Sequence, residues 1–177
     1  MSKYVGLPFR DDQLANYVKE NGLPWIRVGV LVSIGNRSEQ YYFVETEREG
    51  ETVYALPCGC VRIGETLLEA AVRIGEEQLH KTSLSLHNEI LYFGHNRNLD
   101  DPHITIIFSA YEKENTHNTL DPDKVDGVKF FPGYKLSGLA DAGKLCNPGM
   151  IMECVCNEHS TNRKIAYEDV YRYNYLP

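Results

Sequence analysis

The chain has 177 residues, 42% of them hydrophobic, and a net charge of −7 from 18 basic and 25 acidic side chains. That is enough apolar material for one ordinary domain with a core, which excludes a wholly disordered chain. The acidic balance argues against tight, sequence-independent binding along a nucleic-acid backbone, and no apolar run approaches the roughly 18 residues of a membrane-spanning helix.

The opening MSKYVGLPFRDD holds no continuous apolar stretch, so no signal peptide is read there. Residues 1–24 read as an N-terminal appendage. Asp11 is the N-cap of a short helix with Leu14, Tyr17 and Val18 on one face, ended by Gly22 and Pro24. It is either a packing helix over a sheet edge or a lid or partner arm. Arg27 to Ile34 is rich in Val and Ile and predicts a buried strand. Gly35-Asn36 marks a turn, and Gln40 to Thr46 predicts a second strand, so the two read as a hairpin. EREGE, 47–51, reads as a polar loop and Val53 to Leu56 as a short third strand. After Gly64 the apolar period changes from two to about 3.6, with Leu67, Ala70, Ala71, Ile74 and Gln78 at helical spacing. Thr66 caps this helix, predicted over about 66–80, and Glu69 completes a capping box. Leu67, Ala71 and Val72 are expected to pack it onto a sheet. Glu89 to Phe93, His103 to Tyr111 and Val128 to Phe131 read as further strands. Beyond Ser137 the signals weaken, and the last residues carry Tyr167, Tyr171, Tyr173 and Tyr175. Strands, a helix, then strands suggest α+β or a three-layer α/β sandwich. Five cysteines without framework spacing are expected as reduced thiols, in a cytoplasmic or nuclear setting.

The stretch 56–81, LPCGCVRIGETLLEAAVRIGEEQLHK, is a strand, a glycine-containing loop and an acidic helix. Carboxylates on one helical face suit Mg²⁺ or Mn²⁺, which neutralise a diphosphate and activate water. The stretch resembles the Nudix box, G-x5-E-x7-R-E-U-x-E-E-x-G-U, with U a bulky apolar residue. Gly59, Glu65 and Arg73 fall in register, with Gly64 inside the box. The resemblance covers about residues 25–139. It implies an α/β fold, the Nudix-type α/β/α sandwich with a mixed β-sheet, and leaves 140–177 as a C-terminal extension packing on or projecting from it.

The second half of the box departs from the pattern. Ile74 and Gln78 stand where the family has glutamates, His80 where it has glycine and Lys81 where it has an apolar residue. Glu77 alone remains of the three helical metal ligands. Ile74, Glu77 and Gln78 share a helical face, and one carboxylate among them is a poor site for a hard cation. The expectation is a Nudix-fold protein with impaired or lost hydrolysis and no cofactor, serving as a nucleotide-ligand-binding or protein-interaction module, with the terminal extensions as surface for a protein partner. The alternative is an active Mg²⁺- or Mn²⁺-dependent hydrolase of a nucleoside diphosphate linked to another moiety. Its catalytic residues would be Glu65, Glu76 and Glu77, and a distortion at Gly75 would bring Glu76-Glu77 into register. An RNA-binding adaptor would need a patch of Arg62, Arg73, Lys81 and Arg97 against the overall charge.

Other constellations carry less. Cys58-x-Cys60 offers two soft ligands, too few for structural zinc. Cys146, Cys154, Cys156 and His159 have the ligand types for zinc without a common spacing. Asp121, Asp123 and Asp126 lie in a loop that, by the resemblance, can supply a base or an extra metal ligand, with a solvated turn as the plain alternative. Glu112 and Glu114 at a strand end, and His95, Asn96 and Arg97 as phosphate contacts, are weaker. Trp25, Tyr41 and Tyr42 are stacking candidates with core packing as the plainer reading.

Overall fold

A computed structural model of the chain describes residues 25–35, 39–62, 65–81, 83–96, 103–112, 126–160 and 165–166. The N-terminal appendage expected at 1–24 and most of the tyrosine-rich tail lie outside them. Strands β1 (Trp25–Ser33), β2 (Gln40–Arg48), β3 (Glu51–Ala55) and β4 (Cys58–Cys60) precede helix α1 (Leu67–Leu79). β5 (Leu84–Asn96), β6 (His103–Glu112) and β7 (Val128–Pro132) follow it. A 3-10 turn (Gly133–Lys135) then leads to helices α2 (Leu136–Asp141) and α3 (Pro148–Glu158) and a two-residue strand, β8 (Ile165–Ala166).

The described strands form one sheet in the order β3-β2-β1-β6-β5-β8, with β4 added to β1 and β7 to β2. β1 and β6 run parallel, in register from Trp25–His103 to Ser33–Tyr111. The other pairs are antiparallel, so the sheet is mixed. Side chains alternate across β1. Val28, Val30 and Val32 meet Leu67, Ala70, Ala71 and Ile74 of α1 in one core. Leu31, with Tyr41, Phe43 and Ile107, meets Leu136, Leu145, Ile151 and Cys154 in a second core on the other face. Helices on both faces of a mixed sheet make the α/β/α sandwich.

α1 follows its local signals. Thr66 Oγ1 accepts from the Glu69 N–H at 3.1 Å, and Glu69 Oε2 accepts from the Thr66 N–H at 2.8 Å, closing the capping box. The helix is regular through Gly75, where a Cβ would lie 2.6 Å from Leu84 Cδ1 and 3.1 Å from Val30 Cγ2. Glycine there lets the helix approach the sheet. The distortion that would have moved Glu76 into register does not occur. Glu76 Oε1 instead accepts from the Leu84 N–H at 3.3 Å. Val72 differs from expectation. It is half-buried on the flank of α1, one residue away in phase from the buried Ala71.

Two other expectations are corrected. The β1–β2 hairpin closes only at its mouth, by the Ser33–Tyr41 pair and the Ile34 N–H to Gln40 C=O bond at 2.9 Å. Beyond that point β4 takes the edge of β1 and β3 that of β2, while β7 lines the other edge of β2 from Gln40 to Val44; the β4 and β7 pairings are set by contacts distant in sequence. Residues 47–51 are not a loop: β2 runs through Arg48 and β3 starts at Glu51. Between them lies a two-residue turn, with Glu49 at φ 55° and Gly50 at φ 81°. None of the described helices is long and apolar enough to cross a membrane.

Candidate functional site

The box residues meet where β4 lies under α1. Gly59 faces the helix, and a Cβ there would lie 3.2 Å from Ile74 Cδ1. Glu65, just before the helix, accepts two bonds from Arg73, at 2.5 Å from Nε to Oε1 and 2.9 Å from Nη2 to Oε2. Glu65 also accepts from the Arg62 N–H at 2.9 Å, and Arg73 Nη2 donates to the Cys60 C=O at 3.0 Å. The side chains of Arg73 and Glu65 are only 19% and 13% exposed, so this fork-to-fork pair ties loop, strand and helix together. The hydrogen bond from Arg73 holds the Glu65 carboxyl below its ordinary range, and the pairing raises Arg73.

The three positions that supply helical metal ligands in the family behave differently from one another. Ile74 is 1% exposed and belongs to the core. Glu77 is 51% exposed and sits between two guanidinium groups, 3.2 Å from Arg73 Nη1 and 3.3 Å from Arg62 Nη2. Gln78 clasps β4: its Oε1 accepts from the Cys58 N–H at 3.2 Å, and its Nε2 donates to the Cys58 C=O at 2.9 Å. A carboxylate beside that carbonyl would leave two oxygens turned toward a cation. The amide puts its NH₂ in place of one of them and bonds the other. An alkyl group, a bonded amide and one carboxylate already neutralised by arginine do not fit Mg²⁺ or Mn²⁺, which take several anionic oxygens. Among the described residues no three His, Cys, Asp or Glu side chains are grouped to hold a metal ion.

The remaining candidates disperse. Cys154 is buried in the second core, Cys156 is exposed, and His159 Nε2 lies 2.6 Å from the Tyr41 hydroxyl, so these four residues are not grouped to hold zinc. Burial pushes the Cys154 thiol up, and Cys58 likewise, with Arg27 beside Cys58 opposing the rise. Tyr41 and Tyr42 are core residues and not stacking platforms. The basic patch does not form either. Arg73 is committed to Glu65, and Lys81 is buried against Glu112, Nζ to Oε1 at 3.0 Å. Asp126 is an exposed turn residue. Asp121, Asp123, Glu114 and Arg97, and the side chains of Trp25, His95 and Asn96, lie outside what is described, as does Gly64.

Sequence reasoning missed the Gln78 clasp and a buried trio. Tyr42 donates to Glu112 Oε2 at 2.8 Å, and Lys81 Nζ lies 4.8 Å from the centre of the Tyr42 ring. Burial and the hydrogen bond to Glu112 raise the Tyr42 phenol. The one available signal was a lysine at an apolar box position, which needs a carboxylate partner when buried. An open groove of about 520 Å³ runs between α1 and β5, floored by Leu68, Val72 and Leu86 and rimmed by Glu69, Arg73, Glu76 and Glu77.

The comparisons agree with the fold. A family model described as the NUDIX domain matches residues 25–148. Among solved structures, a NUDIX hydrolase from Nitrosomonas europaea is similar at 17% identity with a TM-score of 0.60, covering 82% of this chain and 95% of that one. The Ap4A hydrolase of C. elegans is similar at 16% identity with a TM-score of 0.53, covering 75% and 94%. No curated protein sequence matches at a significant level. Identities this low speak to the fold, and the family model spans well over half of the residues; the chain belongs to the NUDIX domain family.

Proposed function

We propose that this chain is a NUDIX-fold protein that binds a nucleotide-derived ligand with its metal-dependent hydrolysis impaired or lost. The observation that carries the reading is the Gln78 clasp on both polar groups of Cys58, beside a buried Ile74. Neither side chain offers an oxygen free to turn toward a cation: Ile74 has none, and the Gln78 oxygen is taken by the Cys58 N–H. Glu77, the remaining candidate metal ligand, is held by Arg62 and Arg73. The similarity to a protein named for Ap4A hydrolysis supports this ligand class. A second role, as a protein-interaction module through residues 1–24 and 140–177, extends the same reading.

The competing reading is a Mg²⁺- or Mn²⁺-dependent pyrophosphohydrolase using Glu65, Glu76 and Glu77. The intact Glu65–Arg73 pair favours it. The test is a panel of nucleoside triphosphates, dinucleoside polyphosphates, nucleotide sugars and capped RNA, each with Mg²⁺ and with Mn²⁺. The expected result is thermal stabilisation by one ligand class without turnover above background. Calorimetry should show no micromolar Mn²⁺ binding that Glu77→Gln removes. Turnover, or such Glu77-dependent binding, would establish the hydrolase instead.

A further inference from the structure

We infer that Cys58 and Cys60 are a thiol–disulfide pair, a site of oxidation by peroxide at which Cys60 is oxidised first and Cys58 resolves it. β4 turns Gly59 toward Ile74 of α1, and alternation along a strand then puts Cys58 and Cys60 together on the opposite face. The neighbourhood of Gly29, the register partner of Cys58, fixes that face. A Cβ on Gly29 would lie 3.3 Å from the Cys58 Cβ and 2.7 Å from Cδ1 of Ile107, a residue of the second core. Cys60 is exposed and Cys58 half-buried. Arg27, the register partner of Cys60, lies beside Cys58 and opposes the rise that burial gives its thiol.

Alternate residues of a strand lie roughly 6.6 Å apart at Cα, and their Cβ atoms about as far, whereas a disulfide spans about 4.4–6.8 Å at Cα and about 3.5–4.5 Å at Cβ, so β4 must leave its extended form for the bond to close. Closing the bridge shortens β4, and glycine between the cysteines absorbs the change in backbone angles with least steric conflict. β4 has three residues and, among the described strands, pairs with β1 alone. The Cys58 N–H and C=O are the two groups that Gln78 holds. Contraction of β4 therefore pulls on α1. A bridge formed at the expense of those bonds is strained and readily reduced, as regulatory disulfides are.

The chemistry balances with hydrogen peroxide as oxidant. The Cys60 sulfur attacks one peroxide oxygen, an S–O bond forms, the O–O bond breaks, and the departing hydroxide takes a proton to leave as water. Cys60 is now the sulfenic acid, oxidised by two electrons. The Cys58 sulfur attacks the Cys60 sulfur, the S–S bond forms, and the hydroxyl leaves with the Cys58 proton as a second water.

The test is to treat the full chain with hydrogen peroxide, alkylate free thiols and map the peptides by mass spectrometry. The expected product is lighter by two hydrogens, carries a Cys58–Cys60 bridge and reverts with dithiothreitol. Its urea midpoint falls relative to the reduced protein, and Cys60→Ser, altered at an exposed position, shows no such fall. In Cys58→Ser, Cys60 accumulates as the sulfenic acid and is trapped by dimedone. The inference is overturned if Cys60 advances to the sulfinic acid while Cys58 stays alkylatable, if it bridges to Cys146 or Cys156 instead, or if Cys60→Ser leaves the rate of thiol loss unchanged.

Discussion

His80 holds left-handed backbone, φ 53° and ψ 40°, at the C-terminal cap of α1. Only its backbone is used there, donating to the Glu76 C=O, and its side chain is exposed. A Cβ in this conformation costs about 1–2 kcal/mol, while glycine adds unfolded-state entropy that offsets part of that. His80→Gly is therefore expected to stabilise the protein by about 0.5–1 kcal/mol, read from urea denaturation. Glu65 makes a second case. Its folded carboxyl titrates below the ordinary value of 4.5 because Arg73 bonds the ionised form. Unfolding takes up a proton in that interval, so the stabilisation is full above the ordinary value and is lost as pH falls through the depressed one. Glu65→Gln should lower stability at neutral pH and flatten the acid limb of stability against pH, followed by urea midpoints across the titration. That Ile74 brings no oxygen ligand is legible in its chemistry alone. That it packs beneath Gly59 is not, because the approach of β4 is made by residues far away in the chain.

Elements defined by neighbouring residues were legible, and the pairing of strands with distant partners was not. The capping box and the 3.6 period of α1 involve residues three and four apart, and the helix starts and stops where they place it. The parts of the sheet that position the site, β4 on β1 and β7 on β2, bring together residues about 30 to 90 apart, and no local pattern specifies them. Gly75 shows the same limit inside the helix. Read alone it is a weak point in a helix; in place it is the contact surface with Val30 and Leu84. Gly75→Ala should gain helix propensity yet lower stability by about 1–3 kcal/mol through overpacking. A stabilised Gly75→Ala in chemical denaturation would show that α1 moves away from the sheet at little cost.

The two cores share one sheet, so among the described residues α1 and α3 are coupled through its strands. The Lys81–Glu112–Tyr42 trio pins the end of α1 to the ends of β6 and β2, with the Lys81 and Glu112 side chains 4% and 6% exposed. Its worth appears on breaking one member. Lys81→Met should destabilise by about 3–5 kcal/mol, because Glu112 is left as a buried charge without its cation. Lys81→Met combined with Glu112→Gln should recover more than half of that loss, since a neutral amide still bonds Tyr42. Equal destabilisation of the single and double variants in urea would show that the ion pair itself, and not an orphaned charge, supports this end of the molecule.

The parallel ladder between β1 and β6 also sets when the molecule can fold. It joins residues 25–33 to residues 103–111, with β2 to β5 and α1 in between. The β2–β3 turn and α1 can form from nearby residues in microseconds. The central ladder must wait for a loop of more than sixty residues to close, and loop closure precedes any reward from its contacts. Folding is thus expected in the millisecond-to-second range of high contact-order domains. During synthesis, until β6 has emerged, the β1 edge carrying Val28, Val30 and Val32 stays open to pairing with other chains.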